Sequence, residues 1–505
     1  MHLSHHRLLP TESLRHREHG FVLVTFALLL VPLLLMVGFA VDVGSWYNRA
    51  SDMQKAADAA ALAGVVWLPD VGKATAYANE AAARNGFNSG VTVTRAAERQ
   101  LQVTIEDPAV GSFFYGGITG KTIDLTRTGT AEYVLPVPLG SPDYHFGNDP
   151  NDNTYTQPNL WGNIHGENTD AQKGDAYATK CFKAEAPDCA LANPGYRPSG
   201  YLYTIDVPAG MQGMDVQIYD AGLAPRSAEN IDTGDTHYSG TNLTTTTWTM
   251  YDADATVLDV NDNPTAASDG LCSTGAGTWV LKENGPDQAT YKNQWQSLCK
   301  RSGNVPEGRY LLRVQTSGAS AGANRYAIKV LSTGSVKPRI AGYGDMSMYN
   351  NISTGSSTTD VAASFYLAEV DPVHAGKTFR VSMYDPGEVS KTANTLGNGT
   401  IQVLAPNGSV AQNCMASSAS PSAPFTSGSI LSSCSFKSAE NGNAKFNGYW
   451  VTLDVPIPNT YSCTLGTTGP ASCWWKIKYI INGQANDTTT WAAQIIGDPV
   501  HLIEQ

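Results

Sequence analysis

The chain has 505 residues, a formal net charge of −12, and only 15% charged residues. That length leaves room for about two to four domains and more than one hydrophobic core. The acidic balance, with no Lys/Arg-rich block and no zinc-like Cys/His spacing, excludes a dedicated nucleic-acid binder. Low charge with abundant Gly, Ser, Thr and Asn points to strand-rich exported domains, not a helical cytosolic enzyme.

Residues 1–20 carry Arg7, Arg15 and Arg17 and precede the uncharged run Phe21–Val41, "FVLVTFALLLVPLLLMVGFAV". About 20 apolar residues suffice for a helix to cross the hydrocarbon core. The first charges beyond the run are Asp42, Arg49 and Asp52. The arginine bias predicts a single-pass protein of the cell membrane, with a cytoplasmic N-terminus and extracellular C-terminal domains. Pro32 removes one backbone hydrogen bond within the span and favours a bend there. A cleaved secretory signal is the alternative, since Ala61 and Ala63 in "ALAG" have A-x-A spacing. That site lies well past the run, and the run exceeds the usual signal core of about 7–15 residues, so a retained anchor is favoured.

Beyond the span, Trp46, Ala50, Met53, Ala57, Ala60, Gly64 and Trp67 recur at alternating steps of four and three. This is a seam of small residues on one helical face. No proline occurs from Leu33 to Leu68, so one helix is predicted over 21–68, roughly 70 Å long at 1.5 Å per residue. Its upper half is an Ala-rich extracellular helix. The seam can pack on its own domain or admit a neighbouring subunit, and the two uses are compatible.

The segment from Gly20 to Gly64 resembles the N-terminal region of the TadE/TadG group of Tad-type (Flp) pilus-assembly proteins. The resemblance rests on "FALLLVPLLL", on the "AVDVGSWY" exit with Asp42 and Tyr47, and on "QKAADAAALAG" from Gln54 to Gly64. It implies a helix that continues out of the membrane as in pilins, in an envelope machine that builds adhesive pili. "ATAYANEAAARNGF" and the strand-like stretch after it fit a small α+β unit over 69–134. Two features depart from the family. Thr25 stands where peptidase-processed pilins carry Glu after Gly20, which argues against cleavage there. "DMSMY" offers Asp345 and Ser347 but Tyr349 in place of the second serine of a von Willebrand A-type metal site, so that site is read as absent.

Residues 135–159, rich in Pro, Asn, Asp and Gly, read as a semi-rigid linker. The remainder alternates with period two between turn signals, predicting two tandem β-sandwiches, 160–336 and 337–505, that resemble jelly-roll modules of secreted bacterial proteins. The predicted class is thus mainly β, with an N-terminal transmembrane helix and a pilin-like α+β base. "MDVQIYDAG" from Met214 and "FRVSMYDPG" from Phe379 form an internal echo. "EGRYLLRV" then "RYAIKVLS" are read as answered by "NGYWVTLDV" then "CWWKIKYII". All eight cysteines follow the span in sequence-near couples: Cys181 and Cys189, Cys272 and Cys299, Cys414 and Cys434, Cys463 and Cys473. Disulfides in an oxidising compartment are expected, with near-neighbour pairing preferred over buried free thiols.

Chemical motifs are few. "GASAG" would make Ser320 a hydrolase nucleophile, but that motif needs a strand, a turn and a helix, and here it joins two strands. "YDADATVLDVNDNP" gathers Asp252, Asp254, Asp259, Asn261 and Asp262 without the order of a calcium loop, and "GNDPNDNTYTQPN" reads the same way. His145, His165, His237, His374 and His501 are scattered. Trp474 and Trp475 must face opposite sides of a strand, and one of them is a candidate sugar platform. No catalytic, cofactor-binding or metal residue is assigned, and no cofactor or enzymatic activity is expected. The expected role is a surface-displayed structural or accessory protein of a Tad/Flp-type pilus system. Its expected partners are the lipid bilayer and, through the Ala-rich helix, pilus-assembly or pilin-like subunits. The alternative is an anchored adhesin whose sandwiches bind a surface glycan.

Overall fold

Alanine and glycine decide how the N-terminal region packs. In a computed structural model, residues 18–502 are described, except 69–70, 98–99, 134–136, 152–159, 184–188, 190, 224–232, 241–242, 254–262, 267–269, 286–287, 319, 353–358, 394 and 498–499. The chain divides into two compact units, residues 1–134 with 500–505, and residues 135–499.

The first unit begins with α1 (Glu18–Val65), a 48-residue helix that runs through Pro32 without interruption. Then come α2 (Val71–Arg84), β1 (Val91–Ala97), β2 (Gln100–Val110), the short α3 (Tyr115–Thr119) and β3 (Ile123–Tyr133). The three strands form an antiparallel sheet in chain order, and Val500–Leu502 adds a fourth strand against β3. Residues 21–37 of α1 are exposed along their whole length, and the helix from Phe21 is long and apolar enough to cross a bilayer. The upper half is different. Met53, Ala56, Ala57, Ala60, Ala61 and Val65 are completely buried, against Ala74, Ala78 and Ala82 of α2 and Leu101, Val103 and Ile105 of β2.

Close approach explains the small residues. A Cβ placed on Gly64 would lie 2.7 Å from the Ala74 carbonyl oxygen and 2.5 Å from Leu101, and one on Gly129 of β3 would lie 2.7 Å from the backbone of Ala57. The seam therefore packs on its own unit. Ala50, Met53, Ala57, Ala60 and Gly64 are buried there, while Trp46 is half-buried and Trp67 exposed. Arg49 clamps the helix further, with its guanidinium 2.7 Å from Asp107 and stacked 4.5 Å from the Phe87 ring.

The second unit consists mainly of two large antiparallel sheets, 12- and 11-stranded among the described residues, around a shared core. The two predicted sandwiches are recognisable as two sets of six strands with one topology. In the first set, Gln212–Tyr219 lies between Trp295–Asn304 and Ala321–Leu331, while Gly308–Ser317 lies between Thr245–Tyr251 and Tyr201–Val207. In the second, Thr378–Tyr384 lies between Trp450–Pro456 and Asp487–Ile496, while Trp474–Asn482 lies between Asn398–Leu404 and Val361–Glu369. The Met214/Phe379 echo thus marks equivalent strands. The second part of the echo is corrected by one strand: Gly308–Ser317 corresponds to Trp474–Asn482, and Ala321–Leu331 to Asp487–Ile496.

The two sets are not separate bodies. Both sheets run unbroken from one to the other, through Leu160–His165 paired with Asp345–Asn350 and through Arg339–Tyr343 paired with Pro138–Leu139. The stretch read as a linker helps to make this joint. Val137, Leu139 and Phe146 are in the core, and His145–Phe146 pairs with Ala321–Leu331. All four near-neighbour disulfides are present: Cys181–Cys189, Cys272–Cys299, Cys414–Cys434 and Cys463–Cys473.

Candidate functional site

The repeat places one tryptophan identically in each half. Trp295 pairs across from Tyr219, and Trp450 from Tyr384, with ring centroids 5.4 and 5.3 Å apart. The corner after each tyrosine is an aspartate with a left-handed backbone, φ 53° at Asp220 and 56° at Asp385. A short polar side chain tolerates that conformation because it can bond locally. Each carboxylate accepts the amide hydrogen two residues before its tryptophan, from Asn293 at 3.3 Å and from Gly448 at 2.9 Å. Tyr-Asp and Trp thus form one construction used twice.

What surrounds the tryptophan differs between the halves. In the first, Lys329 lies 3.9 Å from the centroid of the Trp295 ring, and the indole N–H donates to Asp149 at 2.9 Å. Lys329 also donates to Asp149 at 3.1 Å, so charge and side-chain bulk cover this ring. The register makes Ala492 the counterpart of Lys329, because each lies across from the residue two before the tyrosine, Ser382 and Gln217 respectively. Alanine leaves the space empty. A cleft of about 330 Å³ opens there, lined by Tyr177, Gly344, Ser382, Trp450, Thr452 and the Ala492–Gln494 segment. Tyr177 forms one wall, with its ring 5.9 Å from Trp450 and the Arg197 guanidinium 3.5 Å from its centroid. Arg197 is held in turn by Asp345 at 2.6 Å. The cleft offers aromatic faces beside hydroxyl and amide groups.

Several buried carboxylates lie at or near the repeated corners and the Arg197 contact. Asp487 accepts from the amides of Gly387 and Glu388 at 2.9 and 3.0 Å and from the Thr489 hydroxyl at 2.9 Å. Burial pushes Asp487 up to about 6 despite these bonds. Burial, then the Asp487 charge, pushes Glu388 up to about 7, and burial with Glu388 nearby raises Asp385 well above the usual range. Burial likewise takes Asp220 to about 7 and Asp345 to about 6, in the latter case against the Arg197 guanidinium. No grouping of three or more metal-ligating side chains occurs among the described residues.

The other feature with functional geometry is α1, whose exposed apolar half passes without a break into the alanine-packed half. Residues 20–83, covering nearly all of α1 and most of α2, match the Tad family, described as "Putative Flp pilus-assembly TadE/G-like". The N-terminal segment is TadE/G-like. Comparison with curated proteins finds no match. The TadE/G-like match ends before β1, so the unit of residues 135–499 lies wholly outside it.

Outside the TadE/G-like segment, the residues singled out in the sequence do not converge. Ser320 is buried between two strands with its hydroxyl 2.9 Å from that of Thr244. Asp252 accepts the Ala253 amide hydrogen, while Asp254, Asp259, Asn261 and Asp262 lie outside the described residues. Asp345 and Ser347 sit on one strand, Asp345 paired with Arg197 and Ser347 with Asn163. His165 is fully buried, and neither ring nitrogen meets a hydrogen-bond partner among the described residues. Trp474 and Trp475 do face opposite sides, yet both are buried, Trp475 against Phe379 and Trp474 against Tyr366. Neither can be a sugar platform. Sequence reading missed Trp450 and Tyr177, although the repeated "YD" followed later by Trp was the signal that could have found Trp450.

Proposed function

We propose that this chain is a membrane-anchored accessory subunit of a Tad/Flp-type pilus system. In this reading the N-terminus is cytoplasmic, and the unit of residues 135–499 is displayed outside the cell. The role is structural and non-enzymatic: α1 anchors and docks, and the sheets, with their four local disulfides, are presented. The observation that carries the reading is the TadE/G-like helix, exposed over a membrane-length apolar stretch and then packed through alanine into a small sheet. Disulfides suit an oxidising compartment beyond the membrane. Since the alanine seam is occupied internally, a pilus-assembly or pilin-like partner would meet the outward side of α1, where Asn48, Asp52 and Lys55 are exposed and Ala59 is half-buried. Pull-down of the full chain from membranes tests this. Pilus subunits should co-purify with the native chain and be lost with Ala59→Arg. Equal recovery with both would remove α1 as the docking surface.

A second reading is supported by the Trp450 cleft: the displayed unit grips a glycan. A flat indole with hydroxyl and amide neighbours suits a pyranose ring, which presents an apolar face and polar edges. The repeat provides its own control. Ala492→Lys should fill the cleft as Lys329 covers Trp295, abolishing binding without loss of thermal stability. Titration of the detergent-solubilised full chain with hexose and N-acetylhexosamine oligosaccharides would decide the matter. Absence of binding by the native chain, or unchanged binding by the Lys variant, would remove the cleft from this role.

A further inference from the structure

We propose that the loop Gly111–Gly120 is a second membrane-contact element, seated in the interfacial zone of the bilayer beside α1. This inference rests on the anchor reading of α1. The loop, "GSFFYGGITG", carries no charge. It leaves Phe113 78%, Ile118 70% and Phe114 45% exposed, an apolar surface larger than a ten-residue loop in water would normally present.

Its position is fixed against the end of the apolar run. The Phe114 ring lies on Gly38, where a Cβ would stand 2.6 Å from it. The Tyr115 ring meets Trp46 edge-on at 6.0 Å, and Trp46 meets Phe39 at 6.3 Å. Asp42, the first charge past the run, is fully buried and accepts amide hydrogens from Phe113, Phe114 and Tyr115 at 2.7, 3.0 and 2.6 Å. The exposed faces of Phe39, Val41 and Val43 continue the apolar surface of the span up to the loop's level.

The loop also satisfies most of the backbone amides between Phe113 and Gly120 internally, as a backbone that enters lipid must. Besides the three amides held by Asp42, Gly116 donates to the Ser112 hydroxyl at 2.7 Å, Ile118 to the Phe114 carbonyl at 3.0 Å, and Gly120 to the Gly116 carbonyl at 2.8 Å. The Thr119 hydroxyl donates to the Tyr115 carbonyl at 2.7 Å. Aromatic side chains favour the headgroup level. A helix alone can rotate and slide in a bilayer. With this loop at one side, depth and rotation are both set, which orients everything α1 carries.

The eight native cysteines are all disulfide-bonded, so a single added cysteine takes a nitroxide label cleanly. Three labelled full-length chains, Ile118→Cys, Leu28→Cys in the span and Asp52→Cys beyond it, are reconstituted into phosphatidylcholine vesicles. Relaxation by oxygen and by a water-soluble nickel chelate is then measured. The label at 118 should fall between the other two, more oxygen-exposed and several-fold better shielded from nickel than 52, but less so than 28. Nickel access at 118 equal to that at 52, with a lipid-like label at 28, overturns the proposal alone, whereas nickel access at 28 overturns the anchor reading and the proposal with it. Shielding of 118 from both reagents would mean a protein contact covers the loop, which also overturns it. In the Ile118→Cys background, Asp42→Ala should free the loop and raise nickel access. An unchanged spectrum would remove Asp42 as its positioning residue.

Discussion

Asp220 and Asp385 hold equivalent corners of the two halves, and each is buried at a cost that shows in its proton affinity. With the ordinary value at 3.8, Asp220 sits at about 7 and Asp487 at about 6, and Asp385 is raised well above 3.8, while Glu388 rises from 4.5 to about 7. Between about pH 4 and 7 the folded chain therefore binds more protons at these groups than the unfolded chain, and stability falls as pH rises through that window. Two histidines oppose the trend. Burial holds His145 below its ordinary 6.5, against the pull of Asp149, and holds His165 well below it, where Arg325 adds to the effect. Their contribution is complete above pH 6.5 and is lost as the pH drops. With four raised carboxylates against two lowered histidines, the melting temperature should rise as pH falls from 8 towards 5, less steeply below pH 6.5 where the histidines oppose the trend. Calorimetry of the full chain would read it, at about 1.4 kcal/mol per unit of pKa difference for each group. His165→Gln should steepen the rise below pH 6.5 and leave the slope above it unchanged. A curve rising steadily from pH 5 to 8 would contradict the carboxylate assignment.

At the level of elements, α1 was the most legible part. Its apolar run, alanine content and TadE/G-like exit predicted one helix over 21–68, and it spans Glu18–Val65. The spacing of its small residues identified the buried face but not what covers it, because Gly129 and Ala74–Ala82 are brought there by long-range packing. This matters for the docking experiment. Ala60→Leu is an internal overpacking change expected to cost about 1–3 kcal/mol of base stability, measurable by chemical denaturation. Any loss of partner with that variant would report folding. Ala59→Arg lies on the half-exposed side and reports docking, so native-like stability with lost recovery is the expected pairing. Strand-level features were less visible. Residues 135–159 have the composition of a spacer, yet the isolated Val137, Leu139 and Phe146 are core residues that show no period. The echo slipped by one strand because the stretch between the corner aspartate and its tryptophan differs in length, from 220 to 295 in one half and from 385 to 450 in the other. A short motif survives such insertions, whereas an ungapped alignment does not. Disulfides were readable because each ties residues close in sequence.

The whole molecule is an insertion. The chain leaves the base sheet after β3 and returns as Val500–Leu502 paired with that same strand, Tyr133 across from Val500. Everything from Leu135 to Pro499 is thus a unit placed between two neighbouring strands of another. Domain insertion succeeds where the inserted unit has its own core and its ends lie close together. Both conditions are met: among the described residues the core of residues 137–493 contains none of the base, and the attachment points are adjacent in the sheet. The six-strand repeats share both sheets and one core, so the inserted unit should melt as one body and not as two. Residues 137–497 expressed into an oxidising compartment should give a single cooperative transition matching that unit's transition in the full chain. Two separated transitions would mean that the halves fold independently despite their common sheets. A soluble product that melts well below the intact protein would instead mean that the base supplies part of the unit's stability. The base should suffer from the complementary cut. Removing Val500–Gln505 bares the edge of β3 and withdraws Val500 from its packing on the base core. The exposed edge then invites pairing with another chain, and the truncated protein should associate more readily in detergent, as light scattering would register.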